Sequence, residues 1–337
     1  MIGVAILGGG FMGASHAANY AQLGDRVRVK WVCSRPSERA AKVAESLGAA
    51  LNPELDEVLR DPDVDAVDIC LPTPLHRDVA ERAFAAGKDV FLEKPIALTA
   101  EDADAIIAAA ERSGKVFMVG LVLRFWPEYV ELARRVANGE VGRPRAVSTH
   151  RLSPPADWND WMMDPSQSGG VPVDLLVHDF DQMNRLLGVP RSVFAREPTP
   201  AHVIASVEYD GAEGVAEGSM QMPPSFPFSS SIRVLGENGA ADYVFRAAPA
   251  EDGGNIGAVD PSARGLRLYP ADGASETIEF EAVDPWWPEI RYFVECVEEE
   301  RRPEQGTGEQ ARSALLVALA AIRSIRSGKP EPVGAAA

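Results

Sequence analysis

The sequence is poor in three features: cysteine, positive charge and long hydrophobic runs. Its three cysteines, Cys33, Cys70 and Cys296, are far apart, and their spacing is unlike that of zinc sites or disulfide scaffolds. We therefore expect buried free thiols in a reducing cytoplasm, and no metal site. No apolar run reaches the ~18 residues of a membrane helix, and no charged segment precedes a long apolar one. We expect neither a membrane span nor a signal peptide.

Basic residues are outnumbered by acidic ones, 33 to 50, which gives a net charge of −17. Nucleic acids and anionic membranes attract basic surfaces, so we expect neither as a partner. An anionic cofactor is not excluded, because a helix N-terminus or a single arginine can bind a phosphate locally. Apolar residues make up 46% of the 337 residues, which is enough for a large core and about two domains.

The chain begins with a strand pattern that runs directly into a glycine-rich loop. Val4–Leu7 is fully apolar, as is typical of a central parallel strand. Gly8, Gly10 and Gly13 fit G-x-G-x-x-G, and a helical pattern continues to about Leu23. In this motif the first glycine permits a tight turn, the second lets the backbone approach a pyrophosphate, and the third allows close helix packing. The context predicts a dinucleotide site; the alternative is a structural turn.

Strand and helix patterns alternate up to about residue 122, which predicts a Rossmann domain over residues 1–122 with a parallel, doubly wound sheet. Ligands of such sheets bind beyond the carboxyl ends of the strands. Three segments fall at those ends, namely the glycine loop, Thr73–His76 and Glu93–Pro95. Their coincidence at one edge is the main physical argument for a site in this part of the chain.

Two side chains at this edge carry ionisable groups. Lys94 follows a buried strand and precedes a proline, and a lysine placed there can polarise a carbonyl or lower the pKa of a nearby histidine. His76 has two interpretations. It either starts a helix and satisfies local backbone groups, or it contacts the ribose or nicotinamide of a cofactor.

Strand patterns joined by turn-rich segments dominate residues 123–337, which predicts an α+β domain with an open, mainly antiparallel sheet. A helix that interrupts these strands is expected to pack on one face of the sheet. The other face would expose apolar side chains unless it is covered, so we expect a homodimer or homotetramer. Two helices near the C-terminus are expected to return towards the first domain.

The interrupting helix carries Asp174, His178 and Asp181 at i, i+4 and i+7, a spacing that places all three on one helix face. A histidine one turn from a carboxylate can take a proton from a hydroxyl. The alternative is an amphipathic helix with a structural histidine. Trp158 and Trp161 lie in the preceding loop, where indole rings either pack against the C–H face of a sugar or anchor the loop.

Together these segments resemble the glucose–fructose oxidoreductase and inositol dehydrogenase family over nearly the whole chain. The motifs that carry the resemblance are the glycine fingerprint, Thr73-Pro74 with His76, Glu93-Lys94-Pro95, Arg124-Phe125, and Asp174 with His178. In that family the lysine of Glu-Lys-Pro and an aspartate and histidine four residues apart form the catalytic group. The resemblance therefore assigns catalysis to Lys94, Asp174 and His178.

Two positions depart from the pattern common in the family. Ser168 stands where many members carry the first of three glycines, and Leu176 stands where many carry a glycine before the histidine. An apolar residue at the second position is similar to the inositol dehydrogenase branch, which favours a cyclic polyol as substrate.

The resemblance implies an NAD(P)-dependent dehydrogenase or reductase that acts on a CH–OH or ketone group of a sugar, inositol or related polyol. Two alternatives stay open: an NAD-dependent glycosidase of the same fold, and a non-catalytic, cofactor-sensing regulatory protein. The predicted substrate-binding residues are Lys94, Arg124, Trp158, Trp161, Asp174 and His178.

The end of the second strand bears on the choice of cofactor. In the NAD fingerprint an acidic residue ~20 positions after the glycines receives the ribose hydroxyls. Here the strand ends in Ser34 and Arg35, which can bind a 2′-phosphate instead, so we predict NADP to be slightly preferred over NAD. The predicted cofactor-binding residues are Gly8, Gly10, Phe11, Met12, Gly13, Ser34, Arg35, Arg39, Pro72, Thr73, His76, Glu93 and Lys94.

Overall fold

The computed structural model describes residues 1–155, 160–247, 265–281 and 283–334. The chain divides into two compact units, of which the first comprises Met1–Trp126 with Val283–Arg312 and the second Pro127–Ala282 with Ser313–Ala337. Each unit is built on one sheet. Among the helices in the described ranges, none combines the length and apolar character needed to cross a membrane.

The first unit contains a six-stranded parallel sheet with the strand order β3-β2-β1-β4-β5-β6. Its strands are β1 (Ile2–Leu7), β2 (Val27–Cys33), β3 (Ala50–Asn52), β4 (Ala66–Ile69), β5 (Asp89–Leu92) and β6 (Phe117–Val119). Its helices, numbered along the chain, are α1 (Phe11–Gln22), α2 (Glu38–Leu47), α3 (Leu55–Arg60), α4 (His76–Ala85), α5 (Ala100–Ser113) and α9 (Trp287–Glu298). The order reverses direction at β1 and β4, as in a doubly wound Rossmann sheet, and confirms the predicted fold class.

Local sequence explains several of these elements. Strands β1, β4 and β5 are buried along their whole length, because helices cover both faces of a parallel sheet. Helix α5 begins after Thr99, whose hydroxyl accepts the Asp102 backbone N–H, and ends at Gly114 in the left-handed region. Helix α9 contributes Ile290 and Phe293 to the same apolar core.

The second unit contains a nine-stranded sheet with the order β14-β13-β12-β11-β7-β10-β9-β8-β15. Its strands are β7 (Pro144–Leu152), β8 (Ser192–Thr199), β9 (His202–Tyr209), β10 (Ala212–Ser219), β11 (Ser229–Gly236), β12 (Gly239–Arg246), β13 (Leu266–Pro270), β14 (Glu276–Ile278) and β15 (Glu331–Pro332). The β7–β10 pair is parallel and the other pairs are antiparallel, which confirms the predicted, mainly antiparallel sheet. The remaining helices are α6 (Pro127–Ala137), α7 (Pro165–Ser168), α8 (Val177–Leu187) and α10 (Gly308–Ser327).

Helix α8 packs on one face of this sheet, against β7 and β10. Glycines on β10 create the space for it: a Cβ at Gly214 would lie 2.8 Å from the sulfur of Met183, and one at Gly218 would lie 2.7 Å from Leu176 Cγ. A side chain at either position would force Met183 or Leu176 to shift. The two glycines on β10 therefore allow α8 to pack close to the sheet.

The segment that carries Asp174 and His178 differs from the prediction of one continuous α-helix. Val171–Leu175 forms a π-helical turn, and α8 begins only at Val177. The Leu176 N–H donates to Val171 O over 2.9 Å, a bond that spans five residues instead of four. Leu176 and Val171 both press against Gly218, which accounts for the wider turn. Asp174 and His178 are therefore not one turn apart on a regular α-helix, in contrast to the sequence-based prediction.

Candidate active site

The glycine loop joins β1 to α1 with almost no room for side chains. Gly8 has φ +116°, and a Cβ there would lie 2.3 Å from Cys70 O. A Cβ at Gly13 would lie 1.9 Å from Gly8 O. Gly10, which precedes α1, is different, because a Cβ there would have no atom within 4 Å. The loop is thus tightly packed against the protein except at Gly10, where the backbone is open to a ligand.

The first residues of α1 border this opening. Phe11 is exposed, and its ring packs edge-on against Trp286 with centroids 6.2 Å apart; Met12 is half-buried. The helix places its N-terminal backbone N–H groups next to Gly10, in the arrangement that suits a phosphate. The geometry of the loop therefore fits the pyrophosphate of a dinucleotide.

The end of β2 lies beside the same loop. A Cβ at Gly9 would be 3.3 Å from the hydroxyl of Ser34, and Arg35 and Arg39 are both exposed. Glu38 also points to solvent, where it forms an i,i+4 ion pair with Lys42. The polar groups at the end of β2 are consequently a hydroxyl and two guanidinium-bearing side chains.

The loop after β4 carries the next predicted residues. Pro72 is half-buried and Thr73 is buried. The ring of His76 is 1% exposed, with Nδ1 2.9 Å from Pro95 O and Nε2 2.9 Å from Leu71 O. Both ring nitrogens thus face backbone carbonyls of neighbouring loops. This geometry favours the structural interpretation of His76 over direct contact with a cofactor.

Glu93 and Lys94 follow β5 at the same edge of the sheet. Glu93 is buried, and its Oε2 accepts the backbone N–H of Lys94 over 3.1 Å. Lys94 is half-buried and is joined to Pro95 by a cis peptide bond. Arg124, further along the first unit, is also buried and donates to the side-chain oxygen of Gln305 over 2.9 Å. The first unit therefore brings the glycine loop, Thr73, His76 and Lys94 to one edge.

The second unit holds the other predicted catalytic residues. Asp174 is buried in the π-helical turn, and His178 is half-buried near the start of α8. Trp161 is half-buried in the 3₁₀ turn Asp160–Met163. Trp158 lies outside the described residues.

A buried ion pair, which the sequence did not reveal, fixes the helix that carries His178. Arg151 on β7 donates through Nε to Asp179 Oδ2 over 2.8 Å, and the two side chains are 5% and 2% exposed. Burial lowers the pKa of Arg151, but the Asp179 carboxylate and Tyr129 outweigh it and raise that pKa overall. The pair ties α8 to the sheet at the residue that follows His178.

Comparison with known proteins agrees with this geometry. Residues 2–121 match the profile of an oxidoreductase family with an NAD-binding Rossmann fold. Residues 129–242 match the GFO/IDH/MocA C-terminal domain. The two matches cover the glycine loop, Lys94, Asp174 and His178, so the predicted residues fall in both family domains.

Individual relatives align over nearly the full chain. A scyllo-inositol 2-dehydrogenase (NAD(+)) from Bacillus subtilis (strain 168) is 28% identical over 97% of this chain and 94% of its own length. An inositol 2-dehydrogenase from Rhizobium meliloti (strain 1021) is 28% identical over 95% and 96%. The solved structure of a levoglucosan dehydrogenase with NADH and L-sorbose shares the fold, with a TM-score of 0.86, 20% identity and 99% coverage of both chains. The chain therefore belongs to the GFO/IDH/MocA family of oxidoreductases, which confirms the resemblance seen in its motifs.

Proposed function

We propose that this protein transfers a hydride between a nicotinamide cofactor and a CH–OH or ketone carbon of a sugar, inositol or related polyol. One observation carries the proposal: the open backbone at Gly10 and the residue Lys94 follow β1 and β5 at the same carboxyl edge of a doubly wound sheet. That edge is where such sheets bind their ligands. The inositol dehydrogenases among the relatives favour a cyclic polyol.

Each catalytic residue has a distinct role in the proposed oxidation. His178 takes the proton of the substrate hydroxyl as general base. Lys94 stabilises the negative charge that develops on that oxygen, and Asp174 orients the hydroxyl. The bound nicotinamide supplies the acceptor for the hydride, and the protein supplies position and charge. We assign the binding of the remaining hydroxyls and C–H faces of the substrate to Arg124, Trp158 and Trp161.

A substrate panel tests this function. We expect reduction of the cofactor, seen at the nicotinamide absorbance band, with at least one member of a set of inositols and aldoses, each offered with NAD and with NADP. Omission of the polyol is the control. No cofactor reduction with any member, together with release of an aglycone from a glycoside, would assign the protein to glycosidase chemistry instead.

The opening at Gly10 gives a prediction for cofactor binding. Gly10→Ala should fold with nearly unchanged stability, within about 0.5 kcal/mol, because φ is −80° and the added Cβ meets no protein atom. Cofactor affinity should fall at least tenfold, or about 1.4 kcal/mol, because the methyl group occupies the space of the pyrophosphate. Fluorescence titration and thermal unfolding measure the two effects. Unchanged affinity would place the phosphates elsewhere.

Gly13→Ala is the matched comparison for this variant. The Cβ at Gly13 would lie 1.9 Å from Gly8 O, so this substitution should lower stability itself. We expect Gly13→Ala to lower thermal stability, and Gly10→Ala to lower cofactor affinity without lowering stability. This difference would separate the packing role of the loop from its role in cofactor binding.

We further propose that NADP is preferred, because Ser34 and Arg35 at the end of β2 suit a 2′-phosphate. The Bacillus subtilis relative is named for NAD(+), so the test must use this chain. Ser34→Asp should shift the ratio of catalytic efficiencies towards NAD by about tenfold or more, since one carboxylate repels the phosphate by about 1.4 kcal/mol. Ser34→Ala is the control that removes the hydroxyl without adding charge. Strong NAD preference in the wild type would contradict this proposal.

We also propose a homodimer or homotetramer that covers the outer face of the nine-stranded sheet. Ile204, Val215 and Leu235 are 46%, 41% and 53% exposed on that face, and a second copy would bury them. Light scattering at micromolar concentration should give the mass of two or four chains. A monomer mass would refute the proposal.

A further inference from the structure

A polar cluster lies inside the core of the first unit. It consists of His16 on α1, Asp68 on β4, Glu93 after β5 and Glu289 on α9, with Cys70 at its border. His16, Asp68 and Glu289 are 0% exposed and Glu93 is 6% exposed. Four titratable groups in an apolar core are unusual, because burial of charge costs free energy unless the groups are paired. The cluster needs a physical explanation.

His16 occupies the centre of the cluster. Its Nδ1 lies 2.8 Å from Asp68 Oδ2, and its Nε2 lies 3.1 Å from Glu93 Oε1. Burial lowers the pKa of His16, but Asp68 and Cys70 outweigh burial and raise that pKa well above its usual value. The ring therefore lies between the carboxyl groups of Asp68 and Glu93.

Glu93 connects this cluster to the proposed catalytic lysine. Its Oε1 faces His16 and its Oε2 accepts the backbone N–H of Lys94. The carboxylate also lies against the backbone of Gly120, where a Cβ would come within 3.1 Å of Oε1. The position of the Lys94 backbone consequently depends on how firmly the core holds the Glu93 carboxylate.

In the part of the chain that the structure describes, Glu289 is unsatisfied at both of its polar atoms, whereas His16 in the same cluster is unsatisfied only at Nε2. Within the described ranges, neither of its carboxyl oxygens has a hydrogen-bond partner. One of them lies within 4.8 Å of both a ring nitrogen of His16 and a carboxylate oxygen of Glu93. The side chain is thus aimed at the same point as His16 and Glu93.

The charges around Glu289 indicate its protonation state. Burial, followed by the negative charge of Glu93, raises the pKa of Glu289 well above its usual value. Asp68 and Asp284 act in the same direction, while His16 alone among the main contributors opposes them. Two carboxyl groups held so close cannot both ionise freely. A protonated Glu289 is a hydrogen-bond donor, and the Glu93 carboxylate, one oxygen of which lies within 4.8 Å of a Glu289 oxygen, is an acceptor.

We propose that Glu289 and His16 are positioning residues for the Glu-Lys-Pro segment: a neutral Glu289 donates a hydrogen bond to the Glu93 carboxylate, His16 holds the same carboxylate from α1, and Glu93 fixes the backbone of Lys94. The proposal rests on the proposed role of Lys94 in catalysis. Binding of a divalent cation between the same side chains would instead require an ionised Glu289, and is the competing outcome of the test. Kinetics and spectroscopy of Glu289 variants separate these two states.

Activity measurements form the first part of the test. Glu289→Gln keeps a neutral donor and should retain kcat within about twofold, whereas Glu289→Leu should lower kcat by on the order of 10- to 100-fold through misplacement of Lys94. In a Lys94→Ala background Glu289→Leu should cost no more than about a further twofold, because its effect passes through Lys94. An equal loss in both backgrounds would indicate a general structural role and overturn the proposal. The proposal would also be overturned if Glu289→Gln lowered kcat as much as Glu289→Leu does.

Infrared spectroscopy forms the second part and does not depend on activity or on the folding of Glu289→Leu. The difference spectrum between wild type and Glu289→Gln should show the carbonyl band of one protonated carboxyl group, and Glu93→Gln should shift that band. Absence of the band, or a stoichiometric divalent metal found by elemental analysis of wild type and lost in Glu289→Gln, would overturn the proposal. If Lys94→Ala turns over like wild type, the proposed catalytic role of Lys94 fails. The carbonyl band and its shift in Glu93→Gln still decide whether Glu289 donates a hydrogen bond to Glu93.

Discussion

Replacement of Lys94 by alanine is expected to lower turnover by about 10²- to 10⁴-fold and to leave cofactor affinity nearly unchanged. Loss of one preorganised charge at a reacting oxygen commonly has an effect of this size. Cofactor affinity should survive, because the proposed phosphate site consists of the glycine loop and the N-terminus of α1 and does not include this side chain. Steady-state kinetics with the best polyol of the panel, and fluorescence titration of the cofactor, measure the two quantities.

A surface lysine provides the control for this experiment. Lys42 is 71% exposed and pairs with the exposed Glu38 on its own helix, so Lys42→Ala should leave turnover unchanged. Wild-type turnover in Lys94→Ala would show that Lys94 is a simple surface charge and that the proposed mechanism is wrong. Equal losses in both variants would point to a non-specific effect of charge.

The second large effect is expected on stability, in Asp179→Ala. This change leaves the guanidinium of Arg151 buried without its carboxylate, which typically lowers the free energy of unfolding by about 3–5 kcal/mol. Urea unfolding, monitored by circular dichroism, should show a lower midpoint with an unchanged slope. The activity of folded protein should fall as well, because Asp179 adjoins His178 on α8.

The exposed pair Arg191–Asp210 is the matched control. Its side chains are 58% and 80% exposed, at an N–O distance of 2.9 Å. Asp210→Ala should cost about 1 kcal/mol or less, because water screens this pair. If Asp179→Ala is as mild as Asp210→Ala, Arg151 finds another partner and the pair does not fix the helix.

Much of the fold could be predicted because its signals are local. The apolar run of β1, the glycines at Gly8 and Gly13 and the Thr99 cap each specify structure within a few residues. The π-helical turn could not be predicted, since its cause is non-local. Leu176 and Val171 meet Gly218, a residue more than forty positions away on a strand. The short strands β3 and β15 cannot be predicted for the same reason, because they depend on pairing with neighbouring strands and have no sequence pattern of their own.

The candidate site was only partly visible in the sequence. Lys94 and the glycine loop follow strands that can be recognised by their apolar runs, so their place at the sheet edge could be deduced. The Arg151–Asp179 pair unites residues from distant segments, and no spacing rule reveals it. The sequence gives a weaker indication of the position of Glu289. Glu289, Phe293 and Cys296 are spaced i, i+4 and i+7 on the buried face of α9. This spacing predicts that the carboxyl group of Glu289 faces the core.

The central claim is direct hydride transfer between a polyol carbon and the nicotinamide, and isotope transfer tests it most directly. The best substrate of the panel, deuterated at the reacting carbon, is incubated with oxidised cofactor, and the reduced cofactor is analysed by mass spectrometry and NMR. We predict one deuterium at nicotinamide C4 for each ketone formed, and about 10²- to 10⁴-fold less deuterated cofactor in Lys94→Ala over the same time. Product formed without net cofactor reduction, or with deuterium lost to solvent, would contradict the account.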